Sequence, residues 1–383
     1  MIYLDSAATT PVSGNVMAAM MPYFSEKFGN AGSVHNLGSE SRRAIEHARS
    51  QVARLFGTTA EHIVFNSGAT EGNYFALTAL SDSLMAAGKK HVIVSSVEHD
   101  SVLRAAESLM KCGFDITYLP VAPDGSVDFN TFVNLVRPNT GFVSVMYINN
   151  ETGAINPVHE IGEYCHNNGI IFHTDCVQAV GTVDINVEDI QCDFATVSAH
   201  KFYGPKGVGA IYVKNPQWCI PMIQGGLSQE FGLRGGTENI PGIVGLGQAA
   251  QDSVDLFSQR SVAAMKAKSQ FISIVKSSLG DSIRINGQGR FCDGKIVNFY
   301  VDGVDGETLV LLMGARGVYI SSGSACRNAE SEPSRVLLEM GLSENEARAS
   351  VRISFSSIIS ESEAIEAAEI FVSSIHMLRG DNP

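Results

Sequence analysis

A regular alternation of short apolar runs with amphipathic helical patterns, sustained over the first two thirds of the chain, limits its fold more than any other feature. The runs at 62–65, 91–94, 142–146, 169–172 and 194–197 are rich in Ile and Val, as expected of strands buried on both faces. Between the runs lie helical patterns. In 40–56, Ile45, Ala48, Val52 and Leu55 share one helical face, and Gly57 stands where a C-cap belongs. Such strand–helix–strand repetition predicts a largely parallel sheet covered by helices on both sides. Near Pro241-Gly242 the pattern changes. A long helical stretch runs to about 280, strand signals follow at 295–301 and 351–355, and helices open at Pro333 and near Glu361. The expected architecture is α/β in two closely packed domains: a large, mainly parallel-sheet domain over 15–255, and a smaller α+β domain built from 1–14 and 256–383. Two domains also suit a chain of 383 residues, given about 150 residues per domain.

Charge narrows the function. Lys and Arg number 27 against 40 Asp and Glu, a net charge of −13, and no dense basic run occurs. Direct nucleic-acid or anionic-membrane binding rests on neutralising phosphates, so neither is expected. No window approaches the roughly 18–20 apolar residues of a membrane span. Met1-Ile2-Tyr3-Leu4-Asp5 lacks a basic segment leading into an apolar one. The seven cysteines are scattered without a CxxC pair, which disfavours a disulfide framework or structural zinc. A reduced, cytoplasmic protein is expected.

In an open parallel sheet, ligands sit beyond the carboxyl ends of the strands. Ser67-Gly68-Ala69-Thr70-Glu71 follows one strand and opens a helix, a ready anion seat. Glu98-His99, Asn149-Asn150-Glu151, His173-Thr174-Asp175 and Ser198-Ala199-His200-Lys201 end four others. Each has an ordinary structural explanation by itself, as a cap or a solvated rim residue. Five strand ends bringing such groups to one rim are harder to explain that way. Two chemistries fit. A metal could use His99, His173, Asp175 and His200. Pyridoxal phosphate (PLP) needs a lysine to link to its aldehyde, a carboxylate for its ring nitrogen and a seat for its phosphate, which Lys201, Asp175 and the 67–70 turn supply. The metal leaves Lys201 without a role, so the residues favour PLP and no metal. A nicotinamide site at Gly204-Pro205-Lys206-Gly207-Val208-Gly209 fails the GxGxxG spacing.

The segments Tyr3-Leu4-Asp5-Ser6-Ala7-Ala8-Thr9-Thr10-Pro11, Ser67-Gly68-Ala69-Thr70-Glu71, Asn149-Asn150-Glu151-Thr152-Gly153 and His173-Thr174-Asp175-Cys176-Val177-Gln178 recur in order along the chain with three more. These are Ser198-Ala199-His200-Lys201, Arg234-Gly235-Gly236-Thr237-Glu238-Asn239 and Ser321-Ser322-Gly323-Ser324-Ala325-Cys326. Together they resemble the NifS/IscS-like cysteine desulfurases of the PLP-dependent class V aminotransferase family, nearly end to end. The resemblance implies the fold type I architecture of PLP enzymes. It makes Lys201 the cofactor-linked lysine, Asp175 the partner of the ring nitrogen and Gln178 that of the ring hydroxyl. His99 would stack on the ring and act in proton transfers. Ala69, Thr70, Ser198 and His200 would hold the phosphate, with Thr237 serving the partner subunit's site in a homodimer.

By the same resemblance, Asn150 and Arg352 would bind the carboxylate of L-cysteine. The strand-like setting of Arg352 supports this independently, since a guanidinium there needs a partner and its fork matches a carboxylate. Cys326 would receive the substrate sulfur as a persulfide and pass it to an acceptor protein serving iron–sulfur cluster assembly, tRNA thiolation or DNA phosphorothioation. The small, polar residues before Cys326 have loop composition, and Arg327 favours the reactive thiolate. Cys176 reads as a tolerated small side chain. A selenocysteine lyase or another class V aminotransferase-like enzyme is the alternative.

Overall fold

A computed structural model of the chain describes residues 1–226, 228–287, 294–322 and 332–381. After a two-residue strand β1 (Ile2–Tyr3), seven strands build the large sheet: β2 (Ile63–Asn66), β3 (His91–Ser95), β4 (Asp115–Leu119), β5 (Thr140–Ser144), β6 (Ile171–Asp175), β7 (Phe194–Ser198) and β8 (Gly209–Val213). Their order is β2-β8-β7-β6-β5-β3-β4, with β8 antiparallel to both neighbours and the other pairings parallel. Side chains alternate across a strand, and here that alternation sorts them into two cores. Phe65, Ile93, Val143, Val197 and Tyr212 pack on one face. Val64, Val92, Phe142, Phe194 and Ile211 pack on the other. The first face is covered by helices Asn36–Phe56, Val158–Asn167 and Ile240–Asp255, the second by Ala69–Thr78 and Asp100–Lys111.

The sequence pattern explains these helices locally. Asn36–Phe56 buries Ile45, Ala48, Val52 and Leu55 and ends at Gly57 in the left-handed conformation, φ 65°, where a residue with Cβ is strained. The long helical stretch expected from 241 to about 280 is two helices. Leu256 departs from helical geometry (φ −105°, ψ 11°) between Ile240–Asp255 and Phe257–Leu279. The break has a packing reason: the first helix buries Leu246 and Ala250 against the large sheet, while the second buries Phe271 and Val275 in a separate core.

That second core surrounds an antiparallel sheet of β9 (Ile283–Asn286), β10 (Ile296–Val301) and β12 (Ser350–Ser354), in the order β12-β10-β9. Phe271 contacts the rings of Phe299, Phe355 and Phe371 there. Between these strands in the chain lies β11 (Val318–Tyr319), which pairs in parallel with β1. The amino terminus is thus built into the carboxyl-terminal half: Leu4 is fully buried in this core, and Ala7 N–H donates to Ser354 Oγ at 2.9 Å.

One buried ion pair fixes the segment that leads to Thr237. Arg49 makes a two-pronged contact to Glu230 (2.7 and 2.8 Å), and Glu230 also accepts the Phe65 N–H at 2.7 Å. Every oxygen of the buried carboxylate is therefore matched by a donor. Among the described residues, no helix is long and apolar enough to cross a membrane.

Candidate active site

A cavity of about 570 Å³ opens at the carboxyl ends of the large sheet. Asp175 is the last residue of β6, and Lys201 closes a single 3-10 turn, Ala199–Lys201, directly after β7. The turn and helix that follow β2 bring Ala69 and Thr70, and the turn after β3 brings His99. Asn150, Gln178, Ser198 and His200 also line the space, and Arg352 reaches it from β12 of the other sheet. Ten of the residues singled out from the sequence therefore share one cavity. Thr237 is exposed and does not line it. Cys326 lies outside the described residues.

The Lys201 Nζ donates to the carbonyls of Ala7 (2.7 Å) and Ala8 (2.9 Å). Asp175 is 5% exposed and accepts at both oxygens, from the Val177 N–H at 2.9 Å and from Asn73 Nδ2 at 2.7 Å. Gln178 Nε2 donates to the Ala7 carbonyl at 3.0 Å, while its Oε1 is buried without a partner. His99 caps the helix Asp100–Lys111 and accepts the Ser101 N–H at Nδ1, 3.1 Å. His200 Nδ1 lies 3.1 Å from Thr9 Oγ1; burial, then the charges of Lys201 and Lys206, lower its pKa to about 4, so it is neutral at pH 7. Arg352 donates to the Asn150 carbonyl at 3.0 Å and pairs with Asp5 at 2.8 Å, leaving its buried Nε without a partner.

His173, weighed as a metal ligand beside Asp175, belongs to the core. It is fully buried between Ser144 Oγ (2.8 Å at Nδ1) and Thr196 Oγ1 (3.3 Å at Nε2), and burial lowers its pKa to about 3. It does not line the cavity. Cys176 is fully buried as well, and burial pushes its thiol well above the ordinary range. Its surroundings are those of a small core hydrophobe.

Whether PLP fits can be judged from the groups left over. The helix Ala69–Thr78 starts at Gly68, and no side chain caps it. Gly68 sits at φ 146°, and a Cβ on Gly209 would stand 2.8 Å from the Gly68 Cα, so two glycines let the β8 backbone pass directly beneath the helix start. An uncapped helix start beside the Ser198 and Thr70 hydroxyls suits a phosphate. The buried, unpartnered Gln178 Oε1 suits a ring hydroxyl, and Asp175 suits a protonated ring nitrogen. The residues present fit the group.

Sequence reasoning gave no role to Glu98, Asn73, Ser101, Lys206 or Arg335. Glu98 is 1% exposed and lines the cavity, with Oε1 accepting the Met146 N–H at 2.6 Å and Oε2 without a partner. Burial first, then the nearby Asp175 charge, hold its carboxyl protonated well above the ordinary range. The native state therefore keeps a proton that the unfolded chain releases above the ordinary glutamate value. The associated stability is fully present below that value and declines as pH rises towards the native one. Glu98→Gln is expected to remove this slope, so that its melting temperature gains on the parent from pH 5 to pH 8. The gain corresponds to at most about 1.4 kcal/mol per pH unit. A melting difference that does not change over this range would mean that Glu98 is ionised in the folded protein.

A doubly wound sheet with lysine, carboxylate and anion seat gathered at its carboxyl rim has the fold type I design of PLP enzymes. The family model described as Aminotransferase class-V matches residues 2–367, and the chain belongs to that family. More particularly, it is similar to a protein named cysteine desulfurase IscS from Dictyoglomus turgidum, at 38% identity over 100% of this chain and 96% of that one. Among solved structures, a NifS-like protein superposes with a TM-score of 0.90 at 31% identity, covering 99% of both chains. A structure described as SspA in complex with cysteine has a TM-score of 0.82 at 34% identity, over 93% of this chain and 99% of the other.

Proposed function

We propose that the protein is a PLP-dependent cysteine desulfurase that converts L-cysteine to L-alanine. The observation that carries this reading is the meeting in one cavity of Lys201, Asp175 and the uncapped helix start at Gly68, with Arg352 facing them from the second sheet. The likeness to IscS proteins and to a structure described as holding cysteine supports the substrate. When bound, pyridoxal phosphate supplies an electron-withdrawing ring that takes up the electron pair left when a substrate Cα–H is broken.

Lys201 and Asp175 would hold the cofactor's aldehyde carbon and ring nitrogen, and Gln178 its hydroxyl. Ala69, Thr70, Ser198 and neutral His200 would hold its phosphate, with His99 over the ring. Arg352 and Asn150 bind the substrate carboxylate, which fixes the Cα–H relative to the Lys201 amine. Lys201, oriented by two carbonyls, takes the Cα proton and later returns one. The Cys326 thiolate attacks the substrate sulfur. The S–S bond forms as the C–S bond breaks, carbon is reduced as sulfur is oxidised, and no outside oxidant enters. The products are alanine and a Cys326 persulfide, whose outer sulfur goes to an acceptor protein.

The division into a domain of 15–255 and one of 1–14 with 256–383 suits this chemistry, since it sets Arg352 across the cavity from Lys201. A cytoplasmic homodimer is part of the proposal, with exposed Thr237 serving the partner subunit's site. The test is product analysis. With L-cysteine and a reducing thiol, alanine and sulfide are expected in equal amounts. Formation of pyruvate and ammonia, or of a keto acid with amino transfer, would replace this reading with another activity of the family.

A further inference from the structure

Four buried or cavity-facing groups beneath the site are joined by hydrogen bonds that spread from one amide: Asn73 donates to Asp175 on one side and to Ser101, and through it His99, on the other. Asp175 accepts the Val177 N–H at Oδ1 and the Asn73 NH₂ at Oδ2, 2.7 Å. The second N–H of that NH₂ points to Ser101 Oγ at 2.9 Å. Because Ser101 Oγ accepts there, its own proton is available to His99 Nδ1, which lies 2.8 Å away and also accepts the Ser101 backbone N–H. With Nδ1 occupied as an acceptor, neutral His99 carries its proton on Nε2. Asn73 is fully buried, its Oδ1 has no partner, and Ser101 is 8% exposed. A fully buried amide with one unsatisfied end costs stability, and its two donated bonds span Asp175 and Ser101.

We propose that Asn73 and Ser101 are positioning residues that link Asp175 to His99, orienting the imidazole and presenting its Nε2–H to whatever occupies the cavity. The meaning of this relay for catalysis rests on the desulfurase reading, but the relay itself can be measured without any turnover. The probe is the ¹⁵N resonance of His99 in histidine-labelled holoenzyme, assigned with His99→Gln. In the parent protein Nδ1 is expected to resonate as an unprotonated, hydrogen-bonded nitrogen. Asn73→Leu removes both N–H groups, frees the Ser101 hydroxyl to turn away, and should shift Nδ1 towards the position of a nitrogen with fewer hydrogen bonds, although Asn73 does not touch His99. In a Ser101→Ala background the same change should produce no further shift.

An Nδ1 signal unmoved by Asn73→Leu, or moved equally in both backgrounds, would overturn the relay. Where Asn73→Leu does not fold, Asn73→Ala removes the same donors. In kinetics, Ser101→Ala is expected to lower kcat about tenfold through misorientation, with KM for L-cysteine within about twofold and Ser101→Thr restoring the rate. Failure of the relay leaves alanine formation intact; failure of alanine formation leaves the ¹⁵N result standing.

Discussion

Lys201→Ala is expected to leave no cofactor covalently trapped at position 201 after borohydride reduction, and to lower alanine formation by about 10²–10⁴-fold, the range associated with a positioned proton-transfer group. Lys201 stands in the 3-10 turn at the end of β7, and its amine is aimed by the Ala7 and Ala8 carbonyls. Two other lysines are close enough to test the assignment. Lys206 lines the same cavity, and Lys295 borders a smaller one that also touches Lys201. Burial, then the Lys201 charge, lower the Lys295 pKa to about 8, so part of it is a free amine at neutral pH. Peptide mass mapping after trapping separates the three. Label on Lys206 or Lys295 in the parent protein would move the cofactor's anchor and dismantle the proposed geometry.

Replacing Cys326 by Ala should have an equally large effect on a different readout. The visible band of the bound cofactor should persist, because no residue proposed to hold it changes, while sulfide release from L-cysteine falls by at least about 100-fold for want of a nucleophile. Cys176→Ala serves as the control: that thiol is sealed in the core and kept protonated by burial. Unchanged release from the Cys326 variant would mean that sulfur leaves the substrate without passing through that thiol.

The fold was readable where burial is two-sided and the pattern dense. β3 and β7 are buried at every residue and rich in apolar ones, Val92-Ile93-Val94 in the first and Phe194, Ala195 and Val197 in the second, and the face of Ile45, Ala48, Val52 and Leu55 ends at a glycine with positive φ. β4 was missed because it is an edge strand with only its last residue buried, so Asp115-Ile116-Thr117-Tyr118-Leu119 carries no apolar run. β8 is buried throughout and carries its own apolar run, Ala210 to Val213, so neither burial nor composition accounts for its absence from the expected strands. Within the site, groups that face the cavity are residues whose chemistry announces itself: Lys201, Asp175, His99, Arg352. The supporting groups are ordinary in type. Asn73 reads as one polar residue in a helix and Ser101 as one more serine near a helix start; only the third dimension joins them to Asp175 and His99. His173 shows the converse, a residue with ligand chemistry whose partners, Ser144 and Thr196, come from neighbouring strands and hold it in the interior.

The interleaving of the two ends of the chain sets an order of events during synthesis. Ile2, Tyr3 and Leu4 are synthesised long before their partners Val318, Tyr319 and Ser354. The large sheet, complete by Val213, has all its strands available long before then, and domains assemble as units while translation proceeds. The carbonyls of Ala7 and Ala8 that aim Lys201 belong to the segment that must wait. A nascent chain can thus hold every strand of the large sheet and still lack a working centre, because the segment that orients its lysine is held in place by β11 and β12, which arrive last.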